Sequence, residues 1–340
     1  MKKKPPSDKM KEKRMETNMK LGVLTNLFGN QPLEEVIGKF EALGVESLEL
    51  GCGGYPGTSH CDPEVLLDDA KARESLLSLI KSHGMDISAL SVHGNPVHPD
   101  KKTAEAFHRD FERAVLLAEK LGVDTVITFS GCPGGSSADT TPNWVTCPWP
   151  DDFLKVLDYQ WNEVLIPYWR SAVAFAKSHG VTKIALEMHP GFCVYNPETL
   201  LRLRNAVGEE IGANFDPSHL IWQGIEPVAA IRALKGAIYH FHAKDTKVDK
   251  YNTAKFGVLD TKHYGDEEHR SWIFRAVGYG NGAEYWREIV SALRLAGYDK
   301  VMSIEHEDSL MTPIEGLTKA CEFLKPLIIS EAKPTTMAWA

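Results

Sequence analysis

Apolar and polar positions along the chain alternate between two rhythms. Short runs rich in apolar and β-branched residues are each followed by a longer stretch with apolar residues three and four apart, the pattern of a parallel sheet built from strand–helix units. The runs predict strands at Lys20–Asn26, Ser47–Leu50, Asp86–Val92, Thr125–Phe129, Lys183–Glu187, Ile211–Phe215, Ile238–His242 and Val301–Glu305. The longer stretches predict helices at Pro32–Leu43, Glu64–His83, Thr103–Leu121, Asp158–His179, Pro197–Val207, Pro227–Leu234, Ala283–Ala296 and Pro313–Ile329. Gly44, Gly84, Gly122, Gly180 and Gly297 follow five of them, where a chain leaving a helix turns left-handed.

Eight such units, with no GxGxxG turn after the first strand, fit a single closed (β/α)₈ TIM barrel of the α/β class better than an open doubly wound sheet. The barrel is expected over residues 20–330, between polar tails at 1–19 and 331–340. Two connections exceed what a plain barrel needs: Ser130–Leu157, rich in Gly, Pro and Trp, and Ala243–Gly282, which carries Arg270, Arg275 and many aromatics. Both leave the C-terminal ends of strands, the face on which barrels build active sites. They either wall the site or form surface and oligomer contacts.

Composition then narrows the class of partner. With 43% hydrophobic and 25% charged residues, the 340-residue chain has the make-up of a globular protein with a large core. The net charge of −8 opposes a phosphate-backbone binder, so nucleic acid is not expected as a partner. No apolar run approaches the roughly 20 residues of a membrane span. The lysine-rich N-terminus lacks the apolar centre of a signal peptide. The six cysteines show no CxxC pair and read as reduced thiols, which together with these features points to a cytoplasmic protein without a membrane partner.

The chemistry gathers at the ends of the last four predicted strands. Glu187 ends IALE, Asp216 follows ANF, His242 lies in YHFH and Glu305 in SIEHED. The first three are separated by 29 and 26 residues, each about one strand–helix unit, and the gap of 63 to the last contains the long connection. One carboxylate at a strand end is as well explained as a helix cap. Four ligating groups at one depth converge on a point, and three carboxylates with one imidazole suit a single divalent ion, Mn²⁺ ahead of Mg²⁺ or Co²⁺. His219 and His189 are placed to point into the same mouth, as substrate contacts or as supporting histidines. Lys244 is placed to hold a substrate oxygen, and His93 and Asn95, after the third strand, to contact the ligand from the far side. His240 reads as a satisfied core histidine beneath the ion. Trp144, Trp149 and Trp161 read equally as a wall for a sugar ring and as ordinary packing.

Together these residues, E after the fifth strand, DxxH after the sixth, HxKD after the seventh and E after the eighth, resemble the sugar phosphate isomerase/epimerase family of xylose isomerase-like barrels over residues 20–328. The resemblance implies that Glu187, Asp216, His242 and Glu305 are metal ligands and that His219 touches substrate. It further implies that Glu187 and Glu305 are catalytic, exchanging protons with opposite faces of an enediolate formed beside a metal-polarised carbonyl. The implied activity is that of a metal-dependent sugar isomerase or epimerase. The chain departs from the ketose epimerases after His242, where Val248 stands in place of an expected arginine. Its WVTCPWP segment and His269–Gly280 are similar to relatives acting on 3-keto-glycosides, the C-glycoside deglycosidase large subunits. Those loops leave a β-eliminating lyase as the alternative, and a non-catalytic sugar-binding barrel as a further one. Arg275, in the second loop, is expected to bind substrate. A small sugar, further copies of the chain in a homo-oligomer and, for a deglycosidase, a small partner subunit are the expected partners.

Overall fold

Eight parallel strands close into a ring in the computed structural model, which describes residues 18–331. They are β1 (Lys20–Leu24), β2 (Ser47–Gly51), β3 (Asp86–Ser91), β4 (Thr125–Phe129), β5 (Lys183–Glu187), β6 (Ile211–Phe215) and β7 (Ile238–Ala243). After β7 the chain leaves the ring for an antiparallel hairpin, β8 (Asp245–Val248) with β9 (Trp272–Arg275), before β10 (Val301–Ile304) closes the barrel against β1. Apart from residues 18, 19 and 331, the expected tails lie outside the described residues. Among the described residues, no helix is long and apolar enough to cross a membrane.

The strand alternation is the reverse of a half-exposed sheet. In β2, Leu48 and Leu50 join the large core between barrel and helices, while Glu49 faces the interior together with its register partner Ala89. A barrel sheathed in helices is apolar outside, and its interior near the mouth is free to carry polar groups. The interior of this one holds a small apolar cluster, Ala89, Ile127 and Ala185, and a buried polar set of Glu49, Ser91, Asn214, His240 and Ser303.

Most helices fall where the apolar spacing puts them, with Pro197–Val207 and Ala283–Ala296 as expected to the residue. The five punctuating glycines all have positive φ, from +69° to +88°. Two helices differ. The expected Glu64–His83 is broken into Pro63–Leu66 and Ala70–Ser82, because Asp62 and Asp69 each cap a separate start. The expected Asp158–His179 begins at Asp152 and runs through a π-helical stretch, Tyr159–Leu165, to Ser178. That stretch turns Gln160 inward, where its amide donates to the carbonyls of Pro133, Gly134 and Asn143 and ties down the first long connection.

The second long connection hangs on Asp245. This fully buried carboxylate accepts from the N–H groups of Thr246, Gly278, Gly280 and Asn281, the Asn281 amide and the Trp286 indole. The aspartate of HxKD is therefore an anchor for the hairpin. All six cysteines are unbridged, and only Cys147 is exposed.

Candidate metal centre

At the barrel mouth, Glu187, Asp216, His242 and Glu305 each turn one ligand atom to a common point, all within 4.8 Å of one another. Glu187 ends β5, Asp216 follows β6, His242 lies in β7 and Glu305 follows β10, so neighbouring strands deliver them at one depth. Asp216 is also a helix cap: its Oδ1 accepts from Ser218 N at 2.8 Å and starts the helix Pro217–Trp222. The capping reading of a strand-end carboxylate thus holds for Oδ1, while Oδ2 faces the common point.

Two ligand atoms of this set, Asp216 Oδ2 and His242 Nδ1, are buried without a hydrogen bond. Charged neighbours stand close without the geometry of a hydrogen bond, Lys244 Nζ 3.0 Å from the first and Glu305 Oε2 3.0 Å from the second. Unsatisfied buried polar atoms are rare and costly, and two aimed at one point among further carboxylates fit a cation as their missing partner. The donor set, three oxygens and one nitrogen with no thiolate, suits a hard or borderline divalent ion.

Burial drives the electrostatics, and neighbours decide its outcome. Burial and the Glu187 and Glu305 charges push the Asp216 carboxyl up to about 7 against the pull of Lys244. Burial also opposes charge on Glu187, yet the adjacent imidazoles of His219, His242 and His93 hold it well below the usual carboxylate range. Glu305 is likewise held down, against burial, by Lys244 and His242. His242, between Glu49 and Glu305, is pushed well above the ordinary imidazole value despite its burial. Ligation of a cation at Nδ1 would require loss of the proton there and would couple metal uptake to proton release. His219, buried and beside His189 and Lys244, is held well below the ordinary value and is neutral.

A cavity half open to solvent lies above the four groups. Of the expected contacts, His93, His189, His219 and Lys244 line it. His93 Nε2 lies 3.0 Å from Glu187 Oε2, and His219 Nε2 lies 3.1 Å from Glu187 Oε1. Lys244 Nζ sits 2.8 Å from Glu305 Oε2 and 2.9 Å from Glu307 Oε2. Beneath them His240 bonds Asn214 and Ser88, the satisfied core role its parity predicts.

Asn95 and Arg275 are not among the lining residues. The Asn95 amide exchanges hydrogen bonds with the backbone of Cys132, tying two loops together. Arg275 Nε donates to the buried Asp308 at 2.9 Å. Nor do the tryptophans form the wall: Trp149 is exposed, Trp161 lies under Arg202, and Trp144 packs on Tyr195 at a separate pocket. The aromatic wall is Tyr55 and Phe129, with Phe192 stacked on Phe129. Leu24, Asn26, Pro56 and Glu307 complete the rim. Of the two long connections, only Lys244 reaches this cavity; Phe274 of the hairpin backs His219 and Lys244 from behind. Glu49, Tyr55, Asn26 and Glu307 carried no signal in the sequence, being a strand-interior glutamate and loop residues whose direction only the fold supplies.

A closed parallel barrel with this ligand constellation at its C-terminal mouth defines a class, and the chain belongs to it: the xylose isomerase-like TIM barrel family matches residues 38–327. Among curated proteins, the uncharacterized protein YfiH of Bacillus subtilis (strain 168) is 40% identical over 313 residues, covering 91% of this chain and 99% of that protein. The inosose dehydratase of Mesomycoplasma hyopneumoniae (strain 7448) is 24% identical over 92% of this chain and 97% of its own length. Among solved structures, the IolI protein with a zinc atom superposes with a TM-score of 0.63 at 19% identity, over 91% of this chain and 98% of that one.

Proposed function

We propose that the protein is a divalent-metal-dependent sugar isomerase or epimerase that removes a proton beside a carbonyl. The observation that carries this reading is the pair of orphaned buried atoms, Asp216 Oδ2 and His242 Nδ1, facing Glu187 and Glu305 at the base of an open cavity. Zinc in the IolI structure is consistent with a metal in this fold.

Glu187, Asp216, His242 and Glu305 would hold the ion, and a bound divalent ion supplies Lewis acidity that makes a proton next to a carbonyl removable. The remaining work falls to the chain. Glu187 and Glu305 rise from β5 and β10, three strands apart round the ring, and so approach a planar enediolate from different sides. His93 and His219 fix the Glu187 carboxylate, while Lys244 and the histidines meet substrate oxygens. Tyr55 and Phe129 cover the apolar face of the sugar and exclude water. The Lys244 ammonium is already shared among Asp216, Glu305 and Glu307, which leaves little attraction for a phosphate and favours an unphosphorylated substrate.

The inosose dehydratase relative supports a second reading, in which the same proton abstraction is followed by loss of a β-substituent, as in a dehydratase or a 3-keto-glycoside lyase. Incubation of metal-loaded protein with candidate sugars in D₂O tests both. Isomerisation or epimerisation incorporates deuterium with the carbon skeleton and all oxygens retained, whereas elimination releases water or an aglycone. Absence of both exchange and release with every ketose and keto-glycoside contradicts both readings. Glu305→Gln is expected to abolish exchange and weaken metal binding, and unchanged metal content and activity in that variant would remove Glu305 from the site.

A further inference from the structure

Beneath the four ligands lies a charged group that the proposed chemistry does not use. Glu49, from β2, is fully buried and meets His242 with both carboxylate oxygens, Nε2 standing 2.9 Å from Oε1 and 3.0 Å from Oε2. Ser303 of β10 donates to Oε2 at 2.7 Å, and Ser91 of β3 donates to Oε1. Donors from three other strands thus converge on one carboxylate, enough to offset much of its loss of hydration and to stop it rotating.

Glu49, His240 and His242 have donor atoms close enough to suggest a second metal site, but these atoms already have partners. His240 bonds Asn214 and Ser88, and His242 Nε2 bonds Glu49. This layer is satisfied from within, whereas on the opposite edge of the same imidazole Nδ1 has no hydrogen bond. A ring that donates from one nitrogen to a carboxylate presents the lone pair of the other, with a fixed orientation and raised basicity.

We propose that Glu49 is a positioning residue for the metal centre: it takes the Nε2–H of His242, locks the ring with Nδ1 towards the ion, and places a negative charge directly behind that ligand. The inference rests on the metal reading above. Glu49 sits on the side of the barrel away from β5 and β6, so the ion is organised from across the ring as well as by its own ligands.

The test is Glu49→Gln, which keeps the volume and one acceptor but removes the charge. Chelator-treated protein is titrated with Mn²⁺ against a fluorescent chelator, and the metal-free melting temperature is measured in parallel. Affinity is expected to fall roughly 10- to 100-fold, with metal-free melting close to wild type. A purely structural role would lower melting and leave affinity unchanged, and that result overturns the inference. If Glu49→Gln fails to fold, the double variant Ser91→Ala/Ser303→Ala leaves the carboxylate in place but free to turn. It is expected to lose affinity in the same direction by less, and wild-type affinity overturns the inference. Wild-type protein that binds no Mn²⁺ overturns the metal reading itself, whereas normal wild-type binding with an unaffected Glu49→Gln overturns the Glu49 assignment alone.

Discussion

Asp216 caps a helix with one oxygen and turns the other to the proposed metal position, and a single substitution separates the two. Asn at this position still caps the helix Pro217–Trp222 but carries no charge. Asp216→Asn is expected to fold with a metal-free melting temperature equal to or above wild type, since a buried carboxyl pushed up to about 7 is gone. Its Mn²⁺ affinity is expected to fall further than the roughly 10- to 100-fold loss typical of groups behind the ligands. Asp216→Ala adds the lost cap, about 1 kcal/mol; thermal melts and metal titration of both variants check the pair. Lys244 poses the complementary case. Its ammonium lies within 3.0 Å of Asp216, Glu305 and Glu307, so Lys244→Met leaves carboxylates facing one another, at a cost of about 3 kcal/mol to the metal-free protein. Added Mn²⁺ should then raise the variant's melting temperature by more than it raises wild type's, and an equal rise would show that Lys244 does not neutralise the ligand set.

At the scale of elements, the barrel strands were legible because each is short and β-rich, five follow a punctuating glycine, and the end residues of β5, β6 and β7 recur at about one strand–helix period. Glu187, Asp216, His242 and Glu305 could be read for that reason. The hairpin of β8 and β9 was not legible, because four-residue strands within a long aromatic connection show no distinct alternation. The hairpin backs the site from behind, with Asp245 and Asp308 pinning it and Phe274 pressed against His219 and Lys244. Arg275 pairs with Asp308 and does not line the cavity, an arrangement that points to a role in stability. Arg275→Ala strips a fully buried Asp308 of its ion pair and is expected to cost roughly 1–3 kcal/mol in urea unfolding, with KM nearly unchanged. A large rise in KM with unaltered stability would return Arg275 to the substrate.

Across the whole molecule, the two ends of the barrel carry different duties. At the end away from the mouth, burial beside Lys183 pushes the Lys300 ammonium down to about 8, against the pull of Asp124 and Asp299. A base whose pKa falls on folding binds fewer protons folded than unfolded between that value and 10.5, so its cost is full below about pH 8 and fades above it. Lys300→Met should raise the melting temperature at neutral pH, with the gain shrinking towards about pH 10 and metal affinity unaltered. This division also explains what sequence patterning concealed. In β2, Ser47, Glu49 and Gly51 alternate with two leucines and read as a solvent-facing edge, whereas in a helix-clad barrel that face is the interior. Only closure of the ring brings Glu49 to His242, 193 positions away in the chain.

The central claim is that one divalent ion joins Glu187, Asp216, His242 and Glu305, and isothermal titration of chelator-treated protein with Mn²⁺ tests it most directly. One ion per chain is expected for wild type, with binding lost in Asp216→Asn. Absence of binding in wild type, or undiminished binding in Asp216→Asn, would contradict the account.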